Sequence, residues 1–272
     1  MPDPGARRAG RTPTIFAMGG GGFTMEPGNP ALDDYIRSLA PAREPKVCLL
    51  PTAGGDSEDQ IRRFHAAFDD QLCVATHISL FRLGTRPVPL REHLLGQDVI
   101  YVGGGSMINL LALWRAHGFD AILREAWQAG IVLAGLSAGS MCWFEWGVTR
   151  SIGRPVPARG LGFLPGSNSV HYDGERERRP VYLEAVAHGD VPPGWGVDDG
   201  AGLLFRGTRL AEVVASRPRA RAHRVHAVAG EAVEEVIEPR LLKARPHTDP
   251  RAPLAVQEMR DLRAARRGHR RG

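Results

Sequence analysis

Gly135-Leu136-Ser137-Ala138-Gly139 ends a run of aliphatic residues that begins at Ile131. A serine on a sharp turn from strand to helix needs small neighbours, because the strained backbone leaves no room for side chains on either side. In such an elbow Ser137 is a candidate nucleophile, and the N–H of Ala138 points to where an oxyanion would form. The competing reading is a serine that merely caps the helix after it. Gly103-Gly104-Gly105 also stands between an apolar run and a helix-like segment. Consecutive glycines there let backbone N–H groups approach an anion, which would supply the other half of an oxyanion hole. The plain alternative is a tight turn that needs positive φ. Neither this turn nor Gly19–Gly22 completes a GxGxxG fingerprint, so dinucleotide binding is set aside.

A serine nucleophile needs a base. Of ten histidines, His171 stands out because it lies in LPGSNSVHYDGERERRP, dense in Gly, Ser, Asn and Asp, which reads as a polar loop. Carboxylates that could orient its ring are Asp173, Glu145 and Asp199, the last in VDDG at 197–200.

The elements that must position these groups follow from hydrophobic patterning. Thr14–Met18, Val47–Leu50, Val74–Leu80, Val99–Val102 and Ile131–Leu136 read as strands. Between them lie helix-like stretches at Ala31–Leu39, after the capping-box spacing Ser57 to Gln60, and at Ile108–His117. Strand, Gly-rich turn and helix repeated this way predict right-handed βαβ units: a three-layer α/β sandwich with a mostly parallel central sheet. Sites in such sheets collect at the carboxyl ends of the strands, so Gly19–Gly22, the PTAGGD turn, Gly103–Gly105 and Ser137 should share one rim. After about residue 150 short β-like pieces replace the alternation: 195–197, 202–205, 210–215, 221–228 and 233–237. They predict antiparallel additions to one edge of the sheet. Residues 1–243 read as one domain, with a basic tail at 244–272.

Composition narrows the classes. With 272 residues, 43% hydrophobic and 24% charged, the chain has ample sequence for one large core. No segment approaches the roughly 18 continuous apolar residues of a membrane span, and MPDPGARRAGRTPT lacks the apolar run of a secretory signal. Cys48, Cys73 and Cys142 match neither a disulfide framework nor a zinc spacing, which fits a reduced cytoplasm. The tail holds eight arginines against Asp249, Glu258 and Asp261, which accounts for the whole net charge of +5. It reads as a loosely packed end, and no aromatics interleave with its arginines as a nucleic-acid stacking surface would need. No metal, cofactor, nucleic acid or membrane partner is expected; the partner is a small peptide-like substrate, and the chain a monomer or homodimer.

The strand-end GGG, the GxSAG elbow, PGS…HYDGE…R and VDDGAGL, in that order and spacing, resemble the peptidase E group of serine peptidases. These are the aspartyl dipeptidases, related to cyanophycinases. GGGGFTME and LLPTAGGDSEDQIRRF look like that family too, and the likeness runs from Thr14 to Glu238. Such proteins are similar in fold to class I glutamine amidotransferases, with serine in place of a nucleophilic cysteine. The resemblance implies Ser137 as nucleophile and His171 as general base, with an oxyanion hole from the N–H groups of Gly104, Gly105 and Ala138 and with Ser106 beside it. It implies Asp199 as triad partner or substrate contact, and Arg179 as a partner for a substrate carboxylate, against the reading of Arg179 as a solvated charge. Two departures stand out. Ser106-Met107 replaces an Asn-Thr pair usual in relatives. Arg150 stands in GVTRS where relatives carry a triad-assigned aspartate, and an arginine cannot accept a hydrogen bond from imidazole. Either Asp173 or Asp199 takes over, or activity is reduced or redirected. The expected function is a serine hydrolase cleaving an amide in a small peptide or aminoacyl conjugate with an acidic N-terminal residue. The alternatives are a weakened relative kept for binding or assembly, and a cyanophycinase-like β-aspartyl-arginine hydrolase.

Overall fold

The computed structural model describes residues 10–68 and 72–243, so the predicted tail 244–272 lies outside the described residues. Among the described residues fourteen strands run in chain order: β1 (Thr14–Met18), β2 (Lys46–Leu50), β3 (Val74–His77), β4 (Val99–Val102), β5 (Val132–Leu136), β6 (Phe144–Thr149), β7 (Val156–Arg159), β8 (Leu164–Val170), β9 (Gly194–Val197), β10 (Ala201–Arg206), β11 (Arg209–Ala215), β12 (Ala222–Val228), β13 (Glu231–Ile237) and β14 (Arg240–Leu241). They form two sheets.

The first sheet has the order β14-β11-β10-β1-β5-β4-β2-β3. Its five strands from β1 to β3 are mutually parallel, and β10 and β11 add to the β1 edge antiparallel. Two-residue periodicity sorts its side chains. Phe16, Met18, Val99 and Tyr101 join one buried cluster with Leu32 and Ile36 of the helix Ala31–Ser38 and Phe64 and Phe68 of the helix Glu58–Phe68. Ile15, Ala17, Ile100 and Val102 face the other way, onto Leu110 and Trp114 of the helix Met107–His117 and Leu123 of the helix Phe119–Gln128. The predicted α/β sandwich with a mostly parallel central sheet is therefore what the chain forms.

The second sheet has the order β13-β12-β9-β8-β6-β7. The sequence led us to expect all the late strands on one edge. Of the predicted pieces only β10 and β11 go there, with β14 beyond them; β9, β12 and β13 build this second layer instead. Its central strand β8 covers residues read as a polar loop. Ser167, Asn168 and Ser169 are buried in it. Hydrogen bonds offset that for two of them: Ser167 Oγ lies 2.9 Å from the Tyr182 hydroxyl, and Asn168 Nδ2 donates to Ser140 Oγ at 2.9 Å. Phe144, Leu164 and Val197 of the second sheet fall in the same buried cluster as Ile15 and Ile100, so the two sheets share a core. β3 is shorter than expected, ending at His77 before a 3₁₀ turn at Leu80–Arg82.

Candidate active site

Ser137 leaves β5 with φ 54° and ψ −118°, a conformation sparsely populated by non-glycine residues. The two elbow glycines make that turn possible. A Cβ on Gly135 would overlap the carbonyl of Gly139, and one on Gly139 would overlap that of Val102 and lie 2.8 Å from the Val102 side chain. Ser137 heads the four-residue helix Ala138–Met141, yet its hydroxyl makes no capping bond. It lies 2.9 Å from His171 Nε2 instead. His171 follows β8, and its Nδ1 is 2.5 Å from Asp199 Oδ1. Asp199 follows β9 and pairs with Gly20 of the Gly19–Gly22 turn. Nucleophile candidate and base thus come from different sheets, joined where β9 passes back to β10 beside β1.

The carboxylate that reaches His171 is Asp199; the other candidates do different work. Asp173 Oδ1 accepts the backbone N–H of Asp199 at 2.9 Å and so holds Asp199 in place. Glu145 accepts the Gly166 N–H at 3.0 Å. Arg150, where the motif resemblance led us to expect an aspartate, lies with Glu175 (3.6 Å) and Glu177 (3.7 Å). The neighbouring Arg178 is buried and bonds Glu175 through Nε and Nη2, each at 3.1 Å; burial lowers its proton affinity, partly offset by Glu175. Asp198, next to Asp199, has its carboxyl pushed up to about 6 by burial, against the Arg221 N–H that it accepts.

Around Ser137 the glycine turn closes in: a Cβ on Gly104 would sit 3.3 Å from that of Ser137. Gly105, at φ +143°, passes so close to Ala53 that any side chain there would overlap its carbonyl. Among the described residues the N–H groups of Gly104, Gly105 and Ala138 donate to no protein acceptor. Ser106, next to Gly105, accepts the Asn109 N–H at 3.3 Å through its hydroxyl and caps the helix Met107–His117, whose first residue, Met107, is buried in the core. Arg179 is exposed, but its guanidinium is engaged: it donates to Glu234 Oε2 of β13 at 2.7 and 3.2 Å.

Three contributors carried no sequence assignment. A Cβ on Gly20 would overlap Asp199 Oδ1, so only glycine leaves room for that carboxylate. Arg217 donates to the Asp199 carbonyl and lies 3.3 Å from Glu26. Glu234 takes the Tyr172 hydroxyl. Gly20 lay in a turn already read as part of the rim; Glu234 sits in a hairpin whose charges gave no signal.

A two-sheet α/β fold that lifts a serine on a Gly-x-Ser-x-Gly elbow into reach of a histidine–aspartate pair defines a hydrolytic enzyme. Comparison with known proteins makes that specific. The model of peptidase family S51 matches residues 15–213. A Bacillus subtilis (strain 168) protein described as "Uncharacterized peptidase YgaJ" is 49% identical over 211 residues, 78% of this chain and 91% of that one. The chain belongs to peptidase family S51 and is a peptidase. In fold it is similar to a crystal structure of a peptidase from an acI-B1 Actinobacterium (TM-score 0.65, 19% identity, 88% of this chain and all of that one). It is also similar to a candidate peptidase E protein from Listeria monocytogenes EGD-e (TM-score 0.55, 16% identity, 74% and 97%). Among the described residues no helix is long and apolar enough to cross a membrane.

Proposed function

We propose that this peptidase is a serine hydrolase that cleaves an amide in a small peptide or aminoacyl conjugate through an acyl-enzyme on Ser137. The observation that carries the reading is the continuous chain Ser137 Oγ–His171 Nε2–Asp199 at 2.9 and 2.5 Å. His171 takes the hydroxyl proton as Oγ attacks the carbonyl carbon. The tetrahedral oxyanion that forms is met by the otherwise unused N–H groups of Gly104, Gly105 and Ala138. Asp199 fixes the ring with Nδ1–H towards it and stabilises the imidazolium. That imidazolium returns its proton to the leaving amine, and water then releases the acyl group by the reverse sequence. Asp199 fills the role left open by Arg150, which favours an active enzyme over a weakened relative.

The preference for an acidic, Asp-like N-terminal residue rests on the motif likeness to aspartyl dipeptidases. Small fluorophosphonate probes test the mechanism without a known substrate. Wild type should be labelled and Ser137→Ala should not; equal labelling removes the nucleophile. Hydrolysis of Asp-X against Asn-X dipeptides, with β-aspartyl-arginine as a third substrate, tests the preference. Faster cleavage of Asn-X would overturn it.

A further inference from the structure

The backbone of His171 has φ +50°, in the left-handed region that side-chain-bearing residues rarely occupy. Such a conformation persists only if its surroundings hold it. Local turn bonds contribute: the N–H groups of Gly174 and Glu175 donate to the His171 carbonyl at 3.1 and 2.9 Å. The next residue supplies a longer-range tie. Tyr172 is buried, with its ring flat against Gly196, where a Cβ would lie 2.6 Å from it. Its hydroxyl donates to Glu234 Oε1 at 2.5 Å. Arg179 closes a triangle, bonding Glu234 Oε2 and standing 5.1 Å over the Tyr172 ring. Burial alone would raise the Glu234 carboxyl, but hydrogen bonds from Arg179 and Tyr172 outweigh it and keep the group a carboxylate. Burial likewise holds the Tyr172 hydroxyl protonated and able to donate. Glu234 lies on the outer hairpin strand β13, beyond residue 213 where the family match ends.

We propose that Glu234 is a positioning residue for His171: through the Tyr172 hydroxyl it latches the strained His171 turn to the second sheet and keeps Nε2 on Ser137. The proposal rests on the reading of Ser137 and His171 as nucleophile and base. Proton transfer needs the pair held to within about 0.5 Å of its productive geometry, and a turn freed at Tyr172 can relax out of its positive φ. Hence Arg179, instead of meeting a substrate carboxylate, braces the latch.

The test compares fluorophosphonate labelling rates, and kcat and KM on any peptide found to be cleaved, for Glu234→Ala, Glu234→Gln and Tyr172→Phe. Glu234→Ala and Tyr172→Phe should each lower labelling and kcat about tenfold with KM within about twofold, as misplacement of a reacting group predicts. The double variant should lose no more than either alone. Glu234→Gln still accepts the tyrosine proton and should recover most of the rate. The downfield proton resonance of His171 Nδ1–H, identified by its loss in Asp199→Asn, should broaden in Glu234→Ala and sharpen again in Glu234→Gln. A role confined to stability would lower the melting temperature and leave these readouts unchanged. Wild-type labelling in Glu234→Ala, or a glutamine variant as slow as alanine, overturns the latch. If Glu234→Ala fails to fold, Tyr172→Phe keeps the packed ring and decides the matter by the same rates. Failure of the underlying reading is separate, since Ser137→Ala would then label as wild type does.

Discussion

Gly20→Ala isolates what the geometry of Asp199 is worth. Gly20 is absent from the positive-φ residues, so its backbone accepts alanine, and the obstacle is the carboxylate beside it. The new Cβ would overlap Asp199 Oδ1, the oxygen that holds His171, and would lie 3.0 Å from Asp199 Cγ, where ordinary contact begins at 3.4 Å. Its other close neighbour, Met25 Sδ at 2.9 Å, belongs to a half-exposed flexible chain that can turn aside. The carboxylate must retreat by about 1 Å, and a displacement of that size in a reacting constellation costs about 100-fold, or roughly 2.7 kcal/mol of transition-state stabilisation. The ceiling is full loss of the orienting acid, about 10⁴-fold, which Asp199→Asn should approach. The assay is the rate of fluorophosphonate labelling of Ser137 in Gly20→Ala, Asp199→Asn and the double variant, with melting temperature as a control. If Gly20 acts through Asp199, alanine adds almost nothing in the asparagine background. Multiplying losses, or a single variant that labels at the wild-type rate, would refute the argument.

Asp173→Ala removes the acceptor of the Asp199 N–H; a hydrogen bond of this kind is worth about 0.5–1.5 kcal/mol, so labelling should slow severalfold, while Asp173→Asn keeps the acceptor and stays near wild type. Arg150→Asp should change hydrolysis by no more than about twofold, as an exposed substitution outside the triad; a large gain would mean that Asp199 does not serve His171. The buried Asp33 supplies a pH test. Burial, opposed by Arg37, raises its carboxyl to about 8, so the folded chain keeps a proton that the unfolded chain has lost. The stability that Asp33 contributes is then greatest at acid pH and is lost as pH rises from about 4 to about 8. Asp33→Asn, neutral throughout, should gain on wild type in urea midpoints between pH 5 and pH 8, and parallel curves for the two proteins would refute the assignment.

The parallel half of the fold was legible because its inner strands β1, β4 and β5 are short, nearly unbroken apolar runs, of which β1 and β4 end directly in glycine, a pattern fixed by burial on both faces. The elbow and the glycine turn were legible for the same reason: steric demands of one turn are written within five residues. β8 was not, since Ser167, Asn168 and Ser169 look like loop until the distant partners Tyr182 and Ser140 are known. The same limit governed the triad. Residue types and order narrowed the acid to Asp173, Glu145 and Asp199, but the choice depends on where the turn after β9 meets the turn after β1, a bridge between Gly20 and Asp199, almost 180 positions apart. Asp173 and Asp199 then prove to be consecutive links in one chain, since the first fixes the backbone of the second.

That chain also explains why arginine is tolerated at 150. A catalytic acid just after β6 and one after β9 would approach the His171 ring from different strands, and the ring has a single Nδ1 to offer. With Asp199 seated against Gly20 at 2.5 Å from that nitrogen, a second carboxylate at 150 would gain no hydrogen bond from it. It would instead face Glu175 and Glu177, which Arg150 now neutralises. The arginine therefore supports the arm that carries Arg178 and leaves the hydrogen-bonded path from Ser137 to Asp199 intact.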